Sequence, residues 1–284
     1  MISLLAVPSG RSEEAFYGGS VGIAGADDCL SFDDSLVQEA VRLVEEAERS
    51  GILVRMLGAS AIRLHCPRNQ RILNALKRVI TDIDLAAYSK QKNDVIRFLS
   101  ARGYKSPQHL TIGAFVDREV FESADGKHVD VFFDKLEYCH TVSFDRRLEN
   151  DRPTVPLSEL LLEKMQIVQI NDKDLKDTMV MLLEHDVGDG DNDIINAERI
   201  AKILAGEWGF YYTVTVNLGK VKRFIEEFAS LSQEEVDLAR QRIDRLLERI
   251  EREPKTMGWK MRARVGPKRK WYRDVEEVCR AEWL

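Results

Sequence analysis

Long apolar runs are missing from this 284-residue chain, and no stretch approaches the ~18 residues that a membrane span needs. The opening Met1-Ile2-Ser3-Leu4-Leu5-Ala6-Val7 has no basic residue before its short apolar stretch, so an export signal is not expected. Cysteine is scarce. The four present (Cys29, Cys66, Cys139 and Cys279) form no CxxC pair, which excludes a disulfide scaffold and predicts reduced, cytoplasmic thiols. Internal repeats and low-complexity tracts are also lacking. The Asp-rich run Asp186–Asp193 fails the EF-hand pattern: counted from Asp189, the sixth position is Ile194 instead of glycine, and the twelfth is Ile200 instead of glutamate. A solvated loop feeding a helix is expected there.

What is present suits a soluble globular protein: 44% hydrophobic and 32% charged residues, on a chain long enough for about two domains. The net charge of -6 is uneven. Residues 255–284 hold nine Lys/Arg against four Asp/Glu, and the rest of the chain holds 33 against 44. An acidic body with a basic tail directs any polynucleotide contact to the tail.

Four regions follow from the periodicities: an irregular N-terminal arm over 1–34, an α/β core over 35–152, a helical region over 153–218, and C-terminal helices with a basic tail over 219–284. Ser35–Ser50 reads as a helix, with a capping-box spacing at Ser35 and Gln38 and an apolar face of Leu36, Ala40, Leu43, Val44 and Ala47. Ile52–Leu57 reads as a strand running into Gly58-Ala59-Ser60, Val79–Tyr88 as a strand and Lys90–Arg102 as a helix. Thr111–Phe121 and Lys127–Phe133 read as a hairpin turned at Asp125-Gly126. After Pro153 and Pro156 come helices at Leu157–Ile170, Lys173–His185 and Ile194–Ala205, the last capped by Asp193, and then Lys220–Ala229. A second capping box, Ser232 and Glu235, opens a helix to Ile250 whose heptad-spaced apolar residues suit a packed helix. Trp259–Val265 and Lys270–Arg273 read as a basic hairpin turned at Gly266-Pro267, with Lys260, Arg262 and Arg264 on one face.

The most informative stretch is Thr81-Asp82-Ile83-Asp84-Leu85. On a strand, Asp82 and Asp84 share a face while Ile83 and Leu85 share the other. Two adjacent carboxylates on an apolar strand repel each other and are costly to desolvate, and a divalent cation relieves both penalties. Downstream, Asp130 stands among apolar neighbours in His128-Val129-Asp130-Val131-Phe132-Phe133 and completes a three-carboxylate set; Asp134 is the competing candidate on the same face. Gly58-Ala59-Ser60, at a strand-to-helix turn, offers backbone N–H groups of the kind that bind phosphate. Neighbouring residues in His65-Cys66 and Cys139-His140 point apart on extended chain, so neither zinc nor a nucleophile–base pair is expected from them.

A glycine turn, an hDhDh strand (h hydrophobic) and a later single-Asp strand together resemble the nucleotidyltransferase fold of DNA polymerase β-like enzymes. Leu157–Lys164, followed by Lys173-Asp174-Leu175-Lys176-Asp177, is similar to the lysine helix and KDxxD segment of AbiEii-type nucleotidyltransferases, the toxins of type IV toxin–antitoxin systems. Arg63–Pro67, Tyr138-Cys139-His140 and Gly188–Asp191 resemble a group of bacterial nucleotidyltransferase-like proteins. The resemblance covers roughly residues 36–185 and implies an α/β fold, a mixed β-sheet flanked by helices, followed by helices. It also implies Mg²⁺ on Asp82, Asp84 and Asp130, phosphate contacts from Gly58, Ser60 and Lys164, and supporting roles for Lys173, Asp174 and Asp177. The activity implied is transfer of a nucleoside monophosphate from an NTP, ATP among them, to a hydroxyl of an RNA end, a protein or a small molecule, with an antitoxin as partner in the toxin version. The turn here is Gly-Ala-Ser instead of Gly-Gly or Gly-Ser, and the 24 residues from Gly58 to Asp82 require an inserted helix. A catalytically silent module that captures nucleotide or nucleic acid is the alternative; a structural helical adaptor leaves the acidic pair unexplained.

Overall fold

A computed structural model describes residues 32–106 and 118–274. The expected arm up to residue 31, the first part of the Thr111–Phe121 strand, Cys29 and Cys279 lie outside the described residues. Helix α1 (Phe32–Arg49) buries Leu36, Ala40, Leu43, Val44 and Ala47 completely, the stripe expected from its periodicity. It begins three residues before Ser35, so the expected capping box is not its start. Gly51, at φ +73°, turns the chain into β1 (Val54–Leu57).

Two short helices, α2 (Gly58–His65) and α3 (Gln70–Ala75), fill the insertion before β2 (Ile83–Ala87). The strand is shorter than expected: Val79–Asp82 lead into it without regular secondary structure. Helix α4 (Lys92–Ser100) follows, and then the hairpin of β3 (Arg118–Glu122) and β4 (His128–Phe133), whose turn contains Gly126 at φ +81°. The sheet order is β1-β2-β4-β3, with β2 and β4 parallel and both outer pairs antiparallel. This is the expected mixed sheet flanked by helices. The small ladder of β5 (Lys135–Glu137) and β6 (Thr141–Ser143) leads towards the helical half.

That half opens with α5 (Leu157–Met165) and α6 (Asp172–Glu184). Buried Glu159 fixes α5 by accepting from Arg147 Nε at 2.7 Å and Nη2 at 3.0 Å; Asn217 donates to the Met165 and Ile167 carbonyls at its far end. The Asp-rich loop is flanked by a parallel pair, β7 (Asp186–Gly188) and β8 (Ile194–Asn196), and Asp191 accepts two bonds from Arg147 at 2.9 Å. The expected solvated loop is there, with Asp189, Gly190, Asn192 and Asp193 exposed, but it leads into β8 before the helix. Helix α7 (Ala197–Gly206) starts three residues later than expected and is capped by Asn196, not Asp193. Helix α8 (Trp208–Glu227) begins well before Lys220. Its buried Phe210, Val214, Leu218, Val221 and Ile225 keep helical spacing through a β-branched run. Helix α9 (Gln233–Arg252) carries the Ser232–Glu235 capping box and packs on α6, α7 and α8.

The tail departs from the hairpin expectation. Trp259–Val265 belongs to α10 (Met257–Val265), capped by Thr256 accepting from Trp259 N–H, with the expected turn at Gly266–Lys268. Lys, Met, Arg and Ala are good helix formers, and they override a chance alternation. Arg262 donates to the Gly266 and Arg269 carbonyls and lies over the Trp208 ring, so it does not project with Lys260 and Arg264. Trp271 then folds back onto Gly209, where a side chain would strike the Trp271 carbonyl, and donates to Thr213 at 3.0 Å.

Candidate active site

Parallel pairing sets Asp84 of β2 directly opposite Asp130 of β4, so both side chains leave the same face of the sheet. Asp82, immediately before β2, turns its carboxylate to that face as well. One carboxylate oxygen from each of the three lies within 4.8 Å of the others. The expected triad is assembled. Burial, then the charges of Asp82, Asp130 and Glu163, raise the Asp84 pKa well above the ordinary carboxylate value, while Lys164 opposes the rise.

Gly58 closes this face. Leu57, the last residue of β1, pairs with Asp84, and Gly58 follows at φ +72°, where a Cβ would overlap Asp84 Oδ2 and sit 3.0 Å from its Cγ. The Gly58 N–H donates to Glu163 Oε2 at 2.9 Å. Ser60 is fully buried, and its hydroxyl turns back to the Leu57 carbonyl at 3.4 Å. The Ser60 hydroxyl is thus turned into the first turn of α2, which leaves backbone N–H groups as what this turn can offer a phosphate.

Lys164 reaches the site from α5 and is buried. Its ammonium lies 2.9 Å from Glu163, 3.6 Å from Asp177 and 3.8 Å from Asp174, and these carboxylates raise its pKa against the effect of burial. Asp177 also receives a two-pronged bond from Arg78, at 2.8 and 2.9 Å. Lys173 is exposed, and the charges of Asp174 and Asp177 are met by Lys164 and Arg78 instead. Asp134 stands apart as a structural residue, at φ +62° with Oδ1 accepting the Ser89 N–H at 2.9 Å.

Three residues of this region were not foreseen. Glu163 bridges the Gly58 turn and Lys164, beside which it stands in the sequence. Arg118 donates to Asp130 from the first position of β3 while its Nε is buried without a hydrogen-bond partner. Arg78 comes from the irregular segment before β2, where no periodicity marked it. Cys139 and His140 do not act as a pair: the His140 ring lies 2.8 Å from Thr213 Oγ1 and stacks on Phe210, as expected of an ordinary buried histidine.

Fold and site together define a mixed α/β protein with a three-carboxylate centre on its sheet. No family model matches the chain, and no curated protein matches it. Among solved structures, the chain is similar to the solution structure of the antibiotic-resistance factor ANT(2'')-Ia, at 12% identity and a TM-score of 0.36, over 52% of this chain and 83% of that one. Among the described residues, no helix is long and apolar enough to cross a membrane.

Proposed function

We propose that the chain is a Mg²⁺-dependent nucleotidyltransferase. The observation that carries this reading is the convergence of Asp82, Asp84 and Asp130 beside the close approach of Gly58 to Asp84. These residues fit a hard divalent cation: all the donors are carboxylate oxygens, and the raised Asp84 pKa reflects first its burial and then the repulsion of its acidic neighbours, both of which a cation would offset. When bound, Mg²⁺ would neutralise the charge that builds on the transferring phosphate.

The reaction is attack of an acceptor hydroxyl on the α-phosphorus of an NTP, breaking the bond to pyrophosphate. Asp130 accepts the hydroxyl proton in this reading. Lys164 attracts the anionic triphosphate, held in its position by Glu163, Asp174 and Asp177. The first-turn N–H groups of α2 provide the phosphate cradle, with Gly58 admitting close approach. Positioning and electrostatics do most of the work, as expected for phosphoryl-type transfer. Acceptors are an RNA end, a protein side chain or a small molecule. An AbiEii-like toxin, paired with an antitoxin, is the narrower form supported by the Lys164 and Lys173–Asp177 resemblance.

The test is incubation of the full chain and Mg²⁺ with each α-³²P-labelled NTP, in the presence of total RNA and cell protein. Expected are label on one acceptor class, pyrophosphate release, and a loss of at least about 100-fold in Asp84→Asn. If Mg²⁺–NTP raises the melting temperature but no acceptor is ever labelled, the enzyme reading falls and the silent binding module replaces it.

A further inference from the structure

At the other end of α2 from Gly58, a second cluster forms that owes nothing to the acidic triad. His65 closes that helix, His185 follows α6, and Asp193 lies in the loop between β7 and β8. One ligand atom from each lies within 4.8 Å of the others. An eight-residue helix at 1.5 Å per residue separates His65 from Gly58 by about 10 Å, so the clusters are distinct.

The lone pairs are the informative feature. His185 Nε2 lies 3.1 Å from the His65 carbonyl oxygen, which can only accept, so that nitrogen carries the ring hydrogen. In the neutral ring, Nδ1 then presents a bare lone pair. That atom is buried on a residue only 3% exposed, has no hydrogen-bond partner, and faces Asp193 Oδ1 at 3.0 Å. Two electron-pair donors facing each other at this distance need a positive centre between them. Ligand atoms about 2.1 Å from a shared zinc ion, at angles of 90–109°, stand about 3.0–3.4 Å apart. A proton on Nδ1 would supply the charge but would demand a straight hydrogen bond, which this geometry lacks. It would also leave a cation beside a second imidazole with no need of it.

The geometry points to a transition-metal site formed by His65, His185 and Asp193, for a divalent ion of the zinc type. Two imidazoles and one carboxylate form a donor set that suits zinc over magnesium. Burial pushes the His65 pKa down to about 4, which leaves that ring a neutral ligand. Thr154 Oγ1, 2.6 Å from His65 Nε2, and the Asp151 carboxylate, 3.8 Å away, complete the polar surround. Asp193 is exposed, so an ion can enter from solvent. The ion would clamp the ends of α2 and α6 to the β7–β8 loop, a structural role.

The test uses the full chain stripped of metal, titrated with Zn²⁺ by calorimetry, with bound metal counted by elemental analysis after desalting. One retained equivalent is expected, and Co²⁺ in its place should give the intense visible bands of a low-coordinate N/O site. Asp193→Asn should weaken Zn²⁺ binding by 10-fold or more. Its stripped-protein melt should not change, because Asn tolerates the left-handed backbone at this exposed position (φ +54°). Asp84→Asn should leave the zinc equivalent in place. His185→Gln is a second loss variant, read only if its circular dichroism matches wild type. Absence of retained zinc, or loss in Asp84→Asn instead of Asp193→Asn, would overturn the assignment. So would a doubly protonated His185 in ¹⁵N spectra that added Zn²⁺ leaves unmoved.

Discussion

Replacing Gly58 with alanine adds one methyl group and touches both the backbone and the acidic triad. At φ +72° an alanine costs about 1 kcal/mol relative to glycine. The new Cβ would overlap Asp84 Oδ2, so the carboxylate must leave its rotamer, at about 0.5–1.5 kcal/mol more. The total is about 2 kcal/mol, or a fall of roughly 4 °C in melting temperature for a chain of this size. Gly51 is the internal control: it sits at φ +73° with nothing within 4 Å of its missing Cβ, so Gly51→Ala should lose only the backbone part. Transfer activity should separate the two further, because displacing a reacting group by about 1 Å costs on the order of 100-fold. Adding Asp84→Ala to Gly58→Ala should recover about 1 kcal/mol of the stability loss, since the obstructing carboxylate is gone. Urea melts and the labelled-NTP assay on the same samples supply both readings. If Gly58→Ala loses no more stability than Gly51→Ala and keeps full transfer, the packing of Asp84 against the turn is wrong.

Two further outcomes follow from the charges. The Asp84 pKa is raised in the folded chain, so its protonation favours folding: without metal, that contribution is complete below about pH 3.8 and is lost as pH rises through the folded value. Asp84→Asn should remove this dependence and make the metal-free protein more stable at neutral pH; a melt lowered by several degrees would instead make Asp84 structural. In the tail, Arg262→Ala should destabilise α10 and its docking by about 1–2 kcal/mol, read as earlier proteolysis near Gly266, without altering the salt dependence of single-stranded RNA binding. Lys260→Ala with Arg264→Ala, both exposed, should flatten that salt slope by about 1.4; an unchanged slope would leave the tail as packing alone.

The residues that could be read in advance are those whose signal is local. Leu36 to Ala47 repeat at helical spacing, Ser232 and Glu235 cap a helix within one turn, and Asp82 and Asp84 alternate on extended chain. Asp130 could be placed because a lone carboxylate in an apolar strand has few explanations. What stayed hidden depends on partners far away in sequence. Nothing near Glu163 announces a bond to Gly58, and nothing in Ser60 shows that its hydroxyl turns inward. His65 and His185 become neighbours only because α2 and α6 pack, so a search for close ligand spacing passes over them. The run Thr213-Val214-Thr215-Val216 favours a strand by propensity, yet burial of a continuous stripe along α8 decides for helix. The tail erred the other way: a few alternating residues suggested a strand where helix formers and a Thr256 cap prevail.

The pairing of Asp84 with Asp130 has a consequence in time. The two strands are parallel neighbours, joined only after the chain has made α4 and the hairpin, and the bond from Glu163 to Gly58 spans 105 residues. Contacts this distant close late, after local helices and hairpins have formed. Local structure alone therefore brings together Asp82 and Asp84 without the third carboxylate or the lysine, and offers little to bind a cation with. If the proposed site holds magnesium, the ion should leave the folding limb of a chevron nearly untouched and slow the unfolding limb, because the three carboxylates come together only on the native side of the barrier. The ion would act as a latch on the finished molecule and would not template its assembly.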